Sequence, residues 1–358
     1  MEQGSRSWFP SEWEAQSTEL STAPVNRPHV RYDNIDCLRM VAIVMVVAFH
    51  YTARFPADYY RTNEVPFVIP QGWLGVDLFF MVSAFCIYMS LDTSRGVVSF
   101  LAKRFARIQP AFVASVLLTL VIVAAIGLEG REVGPEVALY NIAWLNVILE
   151  LPYVDGVYWS LVVEVKFYVV IGLLYFTFGK DRLFAGWTSF CILGAVMLRI
   201  EPEIANRLFI ANYAPQFLIG LFAFEWPRAR SRDRLIKGVL CLVLIAATPR
   251  LAPVLWEAIA LMMAGFVVLQ ITSIKLPTWV TYIGLVSYPL YLVHQNIGLI
   301  VIRELPIESF IIRAAIAFAV VLAIAACLSR TIEARWKKPI ERSLVLAADR
   351  LRMALPGV

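Results

Sequence analysis

The chain has 358 residues, 59% of them hydrophobic and 16% charged, with a mean hydropathy of +0.69. Soluble domains are about 45–50% apolar, so a single water-soluble domain is excluded and a polytopic membrane protein is indicated. The formal net charge of +5 does not call for a nucleic-acid partner, because the basic residues sit between apolar runs, as membrane orientation requires.

Ten stretches are apolar enough to cross a hydrocarbon core of about 30 Å. In chain order they cover approximately 35–55, 73–91, 108–128, 159–178, 183–200, 210–226, 235–249, 254–272, 279–302 and 310–329, the seventh being short. Segment 137–151 is apolar but short for a crossing and reads as a re-entrant or surface-lying helix. Counting it as an eleventh span would move Arg228, Arg230, Arg232, Arg234 and Lys237 to the outer side. With ten spans those residues share the N-terminal side with Arg95, Lys103, Arg104, Arg107, Lys180, Arg182 and Lys275. Excess positive charge marks the cytoplasmic side, so both termini are expected there. The expected fold is all-α, a polytopic membrane helix bundle of about ten transmembrane helices. A polar cytoplasmic extension (1–33) precedes a membrane domain (34–340), and a cytoplasmic tail (341–358) follows it.

The first span holds Arg39 and His50 with ten residues between them. Eleven helical steps of about 100° and 1.5 Å return to nearly the same face, roughly 16 Å further along. An Arg at the centre of a lipid-facing helix costs on the order of 2.5–3.5 kcal/mol, which points both groups into the bundle. Asp36, three residues before Arg39, is placed to neutralise it, and an interfacial ion pair explains Asp36 adequately. The second span opens with GWLGVDLFFMVSAF, with Asp77 near its start and Ser83 about two turns deeper. Asp77 suits a helix start, and Ser83 with the glycines suits close helix packing. The loop before the third span carries LAKRFARIQP, in which Arg104 and Arg107 lie three apart. Such a pair can grip phosphates by forked hydrogen bonds, although from spacing alone ordinary positive-inside charge is the better explanation. The fourth span begins YWSLVVEVKFY, putting Glu164 and Tyr168 on one face near Trp159. The ninth carries SYPLYLVHQN, with Tyr291 and His294 three apart and Pro289 expected to kink the helix. For His50 and His294 the bland alternative is an imidazole hydrogen-bonded within the bundle. The five cysteines, odd in number and scattered, show neither a disulfide framework nor metal-ligand spacing. No metal site is expected.

Placed on this topology, His50, Asp77, Glu164 and His294 fall in the outer half, whereas Arg39, Arg104 and Arg107 fall at the inner side. A chemical end and an anion-binding end result.

Five segments in order, DCLRMVAIVMVVAFH, GVDLFFMVSAF, RFARIQP, WSLVVEVKFY and SYPLYLVH, resemble the acyltransferase-3 family of bacterial integral-membrane O-acyltransferases, over residues 34–339. The chain departs from the family in carrying Gln295 and Asn296 after His294. The resemblance implies a multi-pass protein of the bacterial cytoplasmic membrane that uses acyl-CoA, usually acetyl-CoA, as co-substrate. It implies transfer to a hydroxyl of a carbohydrate acceptor, a surface polysaccharide or its lipid-linked precursor. Arg104 and Arg107 would bind donor phosphates, with Arg39 steadying the donor, and His50 would be the catalytic base with Glu164 or Asp77 as its carboxylate. Trp159, Ser160, Tyr168, Tyr291 and His294 are the candidate substrate-binding residues. Two rival readings are acylation of a small natural product and, from another class, a transporter or flippase. The latter should show inverted repeats and paired broken helices, neither of which is evident.

Overall fold

The computed structural model describes residues 33–59, 65–271 and 275–354, and every regular element among them is helical. The principal helices are α1 (Asp33–Phe49), α2 (Leu74–Leu91), α3 (Val97–Ile126), α4 (Pro135–Ile142), α5 (Trp159–Phe178), α6 (Leu183–Ile200) and α7 (Ala214–Glu225). They continue as α8 (Ser231–Ala246), α9 (Leu255–Gln270), α10 (Thr278–Leu285), α11 (Ser287–Val293), α12 (Asn296–Glu304), α13 (Phe310–Leu328) and α14 (Ala334–Ala354). The expected extension 1–33 lies, except for Asp33, outside the described residues.

Among the described residues, eight helical stretches are long and apolar enough to cross a membrane, where ten were expected. The seventh expected span is α8, whose 16 residues rise only about 24 Å, short of a hydrocarbon core of about 30 Å. The ninth is divided into α10, α11 and α12 by interruptions at Val286 and at His294–Gln295. Pro289 accounts for the first of these. It stands third in α11, where a missing N–H costs nothing, but a continuous helix would set its ring against the carbonyl of Leu285. Segment 137–151 does not cross, since α4 ends at Ile142 and the chain turns through left-handed Trp144 and Glu150.

The third span differs most from expectation. RFARIQP is not a loop but the third and fourth turns of α3, a 30-residue helix that runs through Pro110. Helix-forming residues favour this extension, and α14 packs against it.

In lipid there is little water to expel, and helices are held by close packing and hydrogen bonds. Here α2 packs between α1 and α7. Its Phe80 stacks on Phe217 of α7 (4.8 Å between centroids), which stacks on Phe167 of α5 (4.1 Å). Trp187 of α6 closes the layer edge-on to Phe167 and donates to the Ala214 carbonyl at 3.0 Å. Outward faces carry exposed Val121, Leu173, Leu193, Val243, Val267 and Ile312, as lipid-facing surfaces do.

Candidate active site

The helical period brings polar residues of five helices to one cavity of about 120 Å³. Arg39 of α1, Ser83 and Cys86 of α2, Arg104 and Arg107 of α3, Ser160, Glu164 and Tyr168 of α5, and Ser287, Tyr288 and Tyr291 of α11 line it. Its three guanidinium groups face a single lining carboxylate. Glu164 Oε1 accepts from Ser83 Oγ at 2.7 Å and from the Tyr168 hydroxyl at 2.6 Å. Arg39 lies 3.8 Å from Asp36, as the three-residue spacing predicted, and donates to Cys86 Sγ at 3.5 Å. Arg104 Nε is buried and has no hydrogen-bond partner among the described residues. A buried guanidinium nitrogen left unbonded is costly, and an anion relieves that cost. Tyr288 ties α11 to α3 through the Ile108 carbonyl at 2.9 Å.

From the cavity an aromatic row leads to His50. The rings of Phe79 and Tyr291 lie 6.0 Å apart, Tyr291 and His294 5.5 Å, and His294 and His50 4.9 Å. His50 begins a π-helical turn, His50–Arg54, at the end of α1. Such turns interrupt the regular ladder and often occur at functional sites. His294 stands in the break between α11 and α12. Its carbonyl accepts from the Tyr51 hydroxyl at 3.0 Å, and Gly298 leaves room for that ring, which any Cβ there would strike.

The hydrogen bonds set the tautomers. His294 Nδ1 is 2.8 Å from the Tyr291 carbonyl, and His50 Nδ1 is 2.9 Å from the Val46 carbonyl. A carbonyl only accepts, so each neutral imidazole carries its proton on Nδ1. His294 Nε2 is then an acceptor, and it lies 3.0 Å from His50 Nδ1. The N–H of His50 is shared between Val46 and His294, leaving His50 Nε2 with its lone pair free. An imidazole held in this tautomer can accept a proton at Nε2, and the neutral His294 beside it can accept from the Nδ1–H of the resulting imidazolium.

The family model described as an acyltransferase domain matches residues 32–330. The chain belongs to the acyltransferase-3 family. No curated protein and no solved structure matches it.

In this acyltransferase seven of the residues singled out in the sequence, Arg39, Arg104, Arg107, Ser160, Glu164, Tyr168 and Tyr291, share the cavity, and His294 sits on His50. The two carboxylates are placed otherwise than the sequence suggested, for neither is among the contacts of His50. Glu164 belongs to the arginine cavity. Asp77, buried in α2, pairs with Arg250 and accepts from Gln216 Nε2 at 2.7 Å. Arg250 is flanked by Trp73 and Tyr213, at 4.7 and 4.5 Å. Trp159 joins that aromatic group, 5.0 Å from Tyr213, and is not a lining residue of the cavity.

The sequence reading missed what frames the histidine pair. Asn296 donates from its backbone N–H to Asp155 Oδ2 at 3.0 Å and from its side chain to the Val154 carbonyl at 3.0 Å, tying the break after His294 to the entry of α5. Asp155 lies just outside the fourth span. Burial pushes its carboxyl up to about 7, against bonds from Asn296 and Val157 and the charge of Arg131, which lower it. The departure from the family at Gln295 and Asn296 was the one available signal.

Proposed function

We propose that this protein is an O-acyltransferase of the bacterial cytoplasmic membrane, moving an acyl group, usually acetyl, from cytoplasmic acyl-CoA to a hydroxyl of a surface polysaccharide or its lipid-linked precursor. The observation that carries this reading is the aromatic row joining an arginine-lined cavity to a histidine with a free Nε2. Diphosphate and phosphate groups suit Arg39, Arg104 and Arg107. A cavity of about 120 Å³ is smaller than the roughly 300–1,000 Å³ of whole-ligand pockets, so it holds one part of the donor. With both termini in the cytoplasm, the arginine end faces the donor pool.

At the other end, His50 Nε2 removes the proton of the acceptor hydroxyl as its oxygen attacks the thioester carbonyl. The C–O bond forms, the C–S bond breaks, and the departing CoA thiolate takes the proton from Nε2. His50 Nδ1–H stays on Val46 and His294 throughout. General-base catalysis of this kind contributes on the order of 10²–10⁴ in rate.

The test is acyl-CoA-dependent transfer by purified full-length protein, read as release of free CoA thiol, compared with His50→Ala. Near-normal turnover in a folded His50→Ala variant sinks the mechanism. Mass spectrometry of envelope glycans with and without the gene identifies the acceptor class, and unchanged glycans favour a small-molecule acceptor.

A further inference from the structure

Beyond His50, away from the cavity, stands a group of cations that the mechanism does not use. The His50 ring stacks on Phe55, 5.7 Å between centroids and 16° from parallel. Two guanidinium groups converge on that same ring, Arg54 at 5.0 Å and Arg131 at 4.9 Å. Arg131 is fixed, since its Nε donates to the Tyr59 hydroxyl at 3.1 Å and that hydroxyl donates to the Glu129 carbonyl at 3.1 Å. Its Nη1 passes over Gly156, where a Cβ would lie 3.0 Å both from that nitrogen and from Gln295 Nε2. A side chain at this position would press on both Arg131 and Gln295.

Among the described residues neither arginine has a carboxylate within ion-pair distance. The buried acid whose field reaches Arg131 is Asp155, and each of its oxygens already accepts a backbone N–H, from Val157 and from Asn296. Two guanidinium groups about one ring repel each other. The ring's quadrupole offsets that repulsion in part, and an anion between them removes it. The guanidinium fork matches carboxylate and phosphate oxygens in pairs. Resting on the acyltransfer reading above, we propose that these two guanidinium groups bind an anionic group of the acceptor, a carboxylate or a phosphate, held by Arg131 and Arg54 so that a neighbouring hydroxyl meets His50. The acceptor is thereby an acidic sugar or a sugar phosphate.

The experiment uses the full chain in lipid nanodiscs with acetyl-CoA and three probes, methyl glucoside, methyl glucuronide and glucose 1-phosphate. Wild type is expected to favour at least one charged probe over the neutral glucoside by about 10- to 100-fold in kcat/KM, the scale of hydrogen bonds to charged groups. In Arg131→Gln and in Arg54→Gln/Arg131→Gln that ratio falls toward one, and Arg131→Lys keeps part of it. Preference for glucuronide assigns a carboxylate, and preference for glucose 1-phosphate assigns a phosphate. Equal use of charged and neutral probes by wild type, or an equal fall for both in Arg131→Gln, overturns the proposal. Binding of the same probes without acyl-CoA, by calorimetry, separates the two readings. If no probe is acylated yet a charged one binds wild type and not Arg131→Gln, the acyltransfer reading fails and the anion site stands. If no charged probe is bound or acylated, the site fails.

Discussion

The two ends of the site are built by different means. At the arginine end, polar side chains project from regular stretches of helix, and ordinary helical periodicity brings Arg104 with Arg107 and Glu164 with Tyr168 to one cavity. At the histidine end the backbone itself departs from regularity. His50 opens a π turn, His294 occupies a helix break, and each imidazole is held by a carbonyl three or four residues back. Regular helix suffices to gather charge. At His50 and His294 the tautomers are set where the backbone leaves regular helix.

This contrast can be broken first at His50. His50→Ala should lower acyl transfer by on the order of 10²–10⁴ while leaving acyl-CoA binding intact, measured by turnover and by calorimetry on one preparation. Loss of donor binding with turnover would mean that the two ends are not separate. His294→Gln should lower kcat by about 10- to 100-fold, the scale of a hydrogen bond to a charged group, with little change in the KM for acyl-CoA. An effect on KM alone would make His294 a binding residue. At the other end Arg104→Ala should raise the KM for acyl-CoA by about 10-fold and change kcat less, and added salt should shrink the difference.

A subtler test concerns Asp155, which holds the break after His294. Burial pushes its carboxyl up to about 7 in the folded protein, against about 3.9 in the unfolded chain. Between those values the folded state binds more protons, so this group's contribution to stability is full below about pH 4 and is lost as pH rises to about 7. Thermal unfolding in nanodiscs at pH 5 and pH 8 should therefore show a larger loss for wild type than for Asp155→Asn. Parallel losses would remove Asp155 from the account.

Much of the arginine end was legible in the sequence, because periodicity and depth are local properties of a helix. Yet depth along the expected spans places Glu164 with His50 and Arg104 in a loop, and both differences have one origin. Depth counts from the expected span boundaries, and α3 begins eleven residues before its expected start at 108, carrying Arg104 and Arg107 into the bundle to meet Glu164. Asp77 was read as a partner of His50 because nothing near it in sequence reveals Arg250, 173 residues away. The seventh and ninth spans were expected from apolarity alone, which does not report helix length or the breaks at Val286 and His294.

By itself the sequence determined an all-helical membrane chain, its family, and the identity of most residues around the site. These follow from composition, from rise and rotation per residue, and from motifs a few turns long. Only the tertiary structure decided that His50 is steadied by His294, 244 residues away, and not by a carboxylate. That pairing depends on where two helices lose their regularity and how closely they pack, and neither is a local property of the chain.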